Sequence, residues 1–441
     1  RDPSKHLQMA RLLEDYREEW EYPFEAVVDR WEEYKRQNGL YDFYEQLEAA
    51  LTTSSPPAKH LVIDEYHDAT PLMAAVSERW IEAADTAIIA GDPDQVVNAY
   101  KGAHPVFFEE LPQRVTPDIP EIRLTRSYRV PDEHYAAASR ILRKERSVPQ
   151  VVTDGPGKIF AHDAGSWAYD DDRGVWLVPD PDAPNSPPGL LDRYGEDIMF
   201  LARTKRQLNA VSAALSRQGV MHVAQSGVGI DWEYLTDVME VLRFLEDREG
   251  PGDGAALTPR ESELLLRHIS QADLAQRHDA IERQIYEAHN NQATIPLRQW
   301  DRWVKPRFWD RYTRGKGSIE MLAKRRRLDD TDLRAMKVAW VTNEPPFLVN
   351  EAIKCLTIHA SKGSEAQDVV VYDGVTQRIR DGMRESSQTK ENEARTWYVA
   401  LTRASERLHI MRDGWGMEPY LPDDLEPVAA DLAAEYRGEK A

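Results

Sequence analysis

Between residues 8 and 51, apolar side chains recur every three to four positions, with Trp20, Phe24, Val27, Val28, Trp31 and Tyr34 on the repeat, and that period predicts an amphipathic helical stretch. Ser54-Ser55-Pro56-Pro57 ends it. The pattern then changes to short unbroken apolar runs. His60-Leu61-Val62-Ile63-Asp64 and Ala87-Ile88-Ile89-Ala90-Gly91-Asp92 both run into acidic residues. They read as buried parallel strands joined by a helix over 71–84, a βαβ unit that delivers carboxylates at the strand ends where ligands bind.

Further along, Pro, Gly and Asp crowd 154–195 around a candidate hairpin at 174–178, which predicts a loop-rich insertion. Asp197-Ile198-Met199-Phe200-Leu201-Ala202 is a third buried strand, followed by helices to about 218 and over 232–246. From 247 to 350 the segments become highly charged and helical, with Trp300, Trp303 and Trp309 expected on the surface. Apolar strands return at 353–359 and 368–372, so one sheet is expected to be interrupted and resumed. The segment after 422 is acidic and carries no pattern.

A chain of 441 residues with 12 Trp, 18 Tyr and 9 Phe has enough apolar material for several cored domains. No run of about 18 apolar residues and no secretory leader pattern occurs, so a cytoplasmic protein with no membrane partner is expected. One cysteine, Cys355, excludes an internal disulfide and a cysteine-cluster metal site. The net charge is −20, and only 15 of the 56 basic residues are Lys against 41 Arg. An acidic, lysine-poor surface suits a protein working at high salt, where phosphate attraction is screened and nucleic-acid binding must lean on stacking and oriented Arg contacts. The alternative is a merely acidic protein from an Arg-rich genome.

Five segments carry chemistry. Asp64-Glu65-Tyr66-His67-Asp68 ends a strand in adjacent carboxylates, one able to hold Mg²⁺ while the next deprotonates water. Gly91-Asp92-Pro93-Asp94-Gln95 offers a tight turn and a neutral amide that can sense a terminal phosphate. Arg126-Ser127-Tyr128-Arg129 and Thr402-Arg403 supply guanidinium groups suited to phosphate. Thr357-Ile358-His359-Ala360-Ser361-Lys362-Gly363-Ser364-Glu365 is a strand-to-loop turn of small and hydrogen-bonding residues. Taken singly, each reads equally as an acidic strand end, ordinary turn chemistry, a surface ion pair or a solvated turn.

Taken in order, these segments resemble the motifs of UvrD/Rep-like superfamily-one DNA helicases. The resemblance extends to 31–47, to Arg203-Thr204 and to Gln225-Ser226-Gly227-Val228-Gly229. It implies an α/β fold with two RecA-like P-loop NTPase domains, the first incomplete, and a helical insertion. The corresponding boundaries are 1–131, 132–245 with 351–421, 246–350 for the insertion, and 422–441 for an acidic tail. It further implies that Asp64 binds Mg²⁺, that Glu65 is the base for the attacking water and that Gln95 contacts the γ-phosphate of ATP. Arg129 and Arg403 would reach that phosphate from either side of an interdomain cleft. Tyr128 would stack on adenine, with Gly363 and Glu365 near the ribose and phosphates. Tyr100, Lys101, Arg203, Thr357 and His359 would follow the DNA. The implied activity is ATP-driven, 3′-to-5′ movement on single-stranded DNA and unwinding at duplex junctions.

The sequence departs from the family pattern at several positions. His67 stands for a Gln, Asn98 for a Tyr, Tyr100-Lys101 for Trp-Arg, and Ser364 and Ala366 for a Leu and an aromatic. No Gly-x-x-x-x-Gly-Lys-Ser/Thr precedes Asp64, and the nearest lookalike, at 315–318, has Asp310 where the first glycine belongs. The expectation is a fragment, inactive alone, whose P-loop lies on an upstream segment or a separate chain. The alternative is a non-catalytic DNA-binding or scaffolding relative that has lost its P-loop.

Overall fold

The computed structural model describes residues 24–52, 56, 58–115, 120–124, 126–142, 150–151, 157–163, 168–170, 175–177, 183–195, 197–246, 256–269, 271–306, 330–412 and 417–428. The helical reading of 8–23 with Trp20, the surface position of Trp309, the lookalike at 315–318 and the tail beyond 428 lie outside the described residues. The chain divides into two compact units, Arg1–Glu121 and Ile122–Ala441.

In the first unit the amphipathic stretch forms two helices, α1 (Phe24–Asn38) and α2 (Phe43–Thr52). Gly39, at φ 63°, ends α1 in the left-handed region that glycine adopts without penalty. The corner is fixed by Lys35, whose buried ammonium meets Glu32 at 2.9 Å, Asp42 at 3.1 Å and Glu45 at 2.9 Å. These carboxylates hold the Lys35 pKa above its ordinary value.

The expected βαβ unit follows. Strands β1 (His60–Ile63) and β2 (Thr86–Ile89) pair in parallel, Ile63 opposite Ile89, with helix α3 (Pro71–Ala83) between them in sequence. Thr70 caps α3 by accepting from the Met73 N–H, with Pro71 in the first turn where its missing N–H costs nothing. One sheet face, Leu61, Ile63, Ala87 and Ile89, packs on a core that includes Tyr66, Ala74, Ile81 and Leu111. The other face departs from the expectation of buried strands: Val62 is 70% exposed and its partner Ile88 59%. Burial on both faces needs cover on both, and the described residues cover one.

The second unit is built on six parallel strands: β3 (Lys158–Asp163), β4 (Ile198–Ala202), β5 (His222–Ala224), β6 (Asn350–Thr357), β7 (Ala366–Tyr372) and β8 (Ala404–Arg412). Their spatial order is β3-β8-β7-β4-β6-β5. Central β4 is buried at all five positions, as a strand covered on both faces requires. It is flanked by β6 and β7, which return only after the helical region, so the sheet is interrupted and resumed. Helix α4 (Lys205–Arg217) opens with a capping box between Thr204 and Gln207 and lays Leu208, Val211 and Leu215 against the sheet. Residues 168–170 and 175–177 pair as a short antiparallel hairpin.

Between β5 and β6 lie helix α5 (Trp232–Glu246) and the helices Pro259–His268, His278–Asn290, Leu297–Trp303 and Asp330–Thr342. Here the surface expectation for Trp300 and Trp303 is corrected. Both are buried, edge to face with ring centroids 5.1 Å apart, in a core shared with Trp232, Leu266, Ile281 and Met336. Their indole N–H groups donate to Ser262 Oγ and Gln284 Oε1, which meets the polar cost of burying tryptophan. No helix among the described residues is long and apolar enough to cross a membrane.

Candidate active site

In the first unit, β1 runs directly into Asp64 and Glu65. Asp64 Oδ1 accepts the Glu65 N–H at 2.8 Å, and Glu65 takes φ 55°, ψ 30°, a left-handed conformation unusual for a residue with a side chain. That turn sends the chain into a short helical turn, Tyr66–Asp68, and leaves both carboxylates exposed at the strand end. At the end of β2, Asp92 caps the turn Pro93–Gln95 by accepting from the Asp94 N–H, and its other oxygen accepts from Gln95 Nε2 at 2.9 Å. The predicted base, metal-holding acid and phosphate-sensing amide therefore project from the carboxyl ends of two paired parallel strands.

The two loops are joined by three bonds. Tyr66 N–H donates to the Ala90 carbonyl at 3.0 Å, Asp92 N–H donates to His67 Nδ1 at 2.9 Å, and Asn98 Nδ2 donates to Asp68 Oδ2 at 3.1 Å. His67 Nε2 lies 3.1 Å from Glu65 Oε2. Nearby, Tyr100 is 71% exposed on a one-turn helix, with Lys101 Nζ 5.5 Å from its ring centre.

An exposed carboxylate such as Asp64, at a parallel strand end beside a second acid, is a hard oxygen donor of the kind Mg²⁺ takes, so the residues present fit that ion.

In the second unit the predicted residues separate into two groups at opposite ends of one sheet. Glu365 and Arg403 immediately precede β7 and β8, whose first residues Ala366 and Ala404 are register partners. Arg129 forms an ion pair with Glu365, and Tyr128 is 71% exposed. Gly363 adopts φ 82°, with open space where a side chain would be. Arg403 is 1% exposed, its guanidinium donating to the Val399 carbonyl at 3.0 Å and to Thr402 Oγ1 at 3.0 Å.

Arg203, Thr357 and His359 lie at the other end, following or closing β4 and β6, where Thr357 and Ala202 are register partners. Six residue steps along β7, from Ala366 to Tyr372, separate the two levels, about 20 Å at the rise of a strand. Thr357 Oγ1 donates to Gln225 Oε1 at 2.8 Å. Arg203 makes a two-pronged bond to Glu393, and burial, with Arg203 adding, lowers the His359 pKa to about 4. Glu393, which also accepts from the Trp397 indole at 2.9 Å, was not singled out by sequence. Its only local signal is the four-residue spacing to Trp397.

Residues 2–116 match the UvrD/REP helicase N-terminal domain and residues 335–412 the UvrD-like helicase C-terminal domain. The chain is 22% identical over 445 residues to the putative ATP-dependent DNA helicase YjcD of Bacillus subtilis, covering 89% of this chain and 58% of that protein. It is 23% identical over 365 residues to ATP-dependent DNA helicase UvrD2 of Mycobacterium bovis, covering 79% and 46%. The chain thus spans about half the length of these relatives. Both helicase domains are thus matched in order along the chain, and together with these relatives they support a UvrD/Rep-like helicase.

Proposed function

We propose that the protein hydrolyses ATP to move along single-stranded DNA and to open duplex junctions, with 3′-to-5′ polarity. The observation that carries this reading is the pair of acids, Asp64 and Glu65, tied to the Asp92–Gln95 turn at the ends of two parallel strands. Glu65 would take the proton of the attacking water on its carboxylate, and the Gln95 amide would orient on the terminal phosphate. Asp64 would hold Mg²⁺, which when bound neutralises charge on the transferring phosphoryl group. The Arg129 and Arg403 guanidiniums would stabilise the same charge, Tyr128 would stack on the base, and Gly363 and Glu365 would adjoin the sugar and phosphates.

Two further features support the reading. Arg203, Thr357 and His359, proposed to follow the DNA backbone, stand at the opposite sheet end from Glu365 and Arg403, which would keep the two ligands apart. The relatives are named ATP-dependent DNA helicases. The acidic, lysine-poor composition supports work at high salt, where tyrosine stacking by Tyr100 with Lys101 alongside outlasts phosphate attraction. The P-loop lysine would come from a segment or chain beyond these residues.

The test is ATP turnover by the protein as its gene encodes it, with and without oligo-dT. DNA should stimulate hydrolysis, and Glu65→Gln should abolish it while oligo-dT binding survives. Unchanged turnover in Glu65→Gln removes the assignment.

A further inference from the structure

The two loops that carry the proposed hydrolytic residues are cross-linked by two side chains that depart from the family pattern, His67 and Asn98. His67 is 1% exposed and has a defined partner at each ring nitrogen. Nδ1 accepts the Asp92 N–H at 2.9 Å, so in the neutral ring the proton sits on Nε2, which lies 3.1 Å from Glu65 Oε2. The imidazole therefore spans from the backbone of one motif to the carboxylate of the other.

The fit is close. A Cβ on Gly91 would come within 3.0 Å of His67 Nδ1 and 3.3 Å of the His67 backbone nitrogen, so a side chain there would press on the ring by a few tenths of an ångström. Asn98 adds a parallel tie, from Nδ2 to Asp68 Oδ2.

We propose that His67 is a positioning residue, holding the Glu65 carboxylate in register with the Gly91–Gln95 turn through a bridge between its two ring nitrogens. The inference rests on the ATPase reading. Glu65 is 55% exposed and sits on a left-handed backbone at the strand end. A donor on Nε2 fixes one oxygen, and the opposite nitrogen ties that donor to the turn bearing Gln95. Base and phosphate-sensing amide then move as one body. His67 itself touches neither water nor phosphate in this role.

Two substitutions separate positioning from packing. Glutamine carries an acceptor and a donor at similar reach and should keep both bonds, so His67→Gln should hold kcat within about threefold. Leucine keeps the bulk and loses both bonds. His67→Leu should lower kcat about 10–100-fold, the usual consequence of a misplaced catalytic group, with KM for ATP within about twofold. Should the leucine variant not fold, nitrogen-15 shifts of His67 in the unmodified protein, assigned by difference against His67→Gln, decide the matter. Protonated Nε2 with bare Nδ1 upholds the bridge, and protonated Nδ1 overturns it.

Equal turnover in the leucine variant, or a glutamine variant as slow as the leucine one, also overturns it. Full activity in His67→Leu alongside a dead Glu65→Gln removes this inference alone. No ATP hydrolysis in the unmodified protein removes the ATPase reading and this inference with it.

Discussion

Arg203 and Glu393, 190 residues apart in sequence, form a two-pronged pair, Nε to Oε1 at 2.8 Å and Nη2 to Oε2 at 3.0 Å. Glu393 is 5% exposed and also receives the Trp397 indole N–H, so a single carboxylate satisfies two elements that meet over the carboxyl end of the sheet. Removing one partner of such a pair strands the other, which costs more than the pair itself contributes. Glu393→Ala should destabilise the protein by about 2–4 kcal/mol, Arg203 being partly exposed and so partly rehydrated. Urea denaturation measures it, and a loss no larger than that of an exposed glutamate would contradict the account.

The buried tryptophans supply a second expectation. Trp300 fills the middle of the helical core, and its indole bonds Ser262. Trp300→Ala should cost about 3–5 kcal/mol, the range for emptying an aromatic site in a packed core. Trp300→Phe, which keeps most of the volume and loses the N–H bond, should cost less. Matching losses for the two variants in thermal unfolding would mean that the hydrogen bond, not the volume, dominates.

These tryptophans also mark where sequence reading failed. The 247–350 segment is charged on average, but charge on one helix stripe says nothing about the opposite stripe, and the core that Trp300 and Trp303 share draws on helices scattered between 232 and 342. Local signals fared better. The strand ends at Asp64 and Gly91, the helix 71–84 and the resumption of the sheet at 353 were all legible, because apolar runs bounded by turn residues are fixed by near neighbours in sequence. The sequence singled out Arg203 but not its partner Glu393, since only the fold brings β4 and the helix Ser387–Leu401 together. The exposure of Val62 and Ile88 was not legible for the same reason: an apolar run shows that a strand can be buried, not that the described residues cover both of its faces.

Buried neutral histidines predict the acid limb of stability. His222 accepts from or donates to Ser212 Oγ at 2.8 Å through Nε2 and meets the Val220 carbonyl at 3.0 Å through Nδ1, and burial lowers its pKa from 6.5 to about 4. With Nδ1–H donating to Val220, Nε2 accepts the serine hydroxyl, an arrangement that protonation breaks. His162 is lowered to about 4 by burial, with His409 and Arg193 adding. The folded state then binds fewer protons than the unfolded chain between about pH 6.5 and 4, so stability present above 6.5 is lost as pH falls through that window. Urea midpoints at pH 7, 6 and 5 should decline, less steeply in His222→Gln. A variant as steep as the unmodified protein would remove His222 from the account.

The last expectation concerns how DNA is held. Tyr100 is an exposed ring on a short turn, with the Lys101 ammonium beside it. Stacking a base on tyrosine displaces few counterions, whereas pairing lysine with phosphate releases about one. Tyr100→Ala should therefore weaken oligo-dT binding by about 5–100-fold at every salt concentration, leaving the slope of log affinity against log salt unchanged. Lys101→Ala should weaken binding mainly at low salt and reduce that slope by about one. Tyr100→Trp, with a larger face, should tighten binding. Fluorescence anisotropy across a salt series reads all three variants. If Tyr100→Ala instead flattened the slope and left high-salt affinity intact, the ring would be serving the lysine's electrostatics and not the bases.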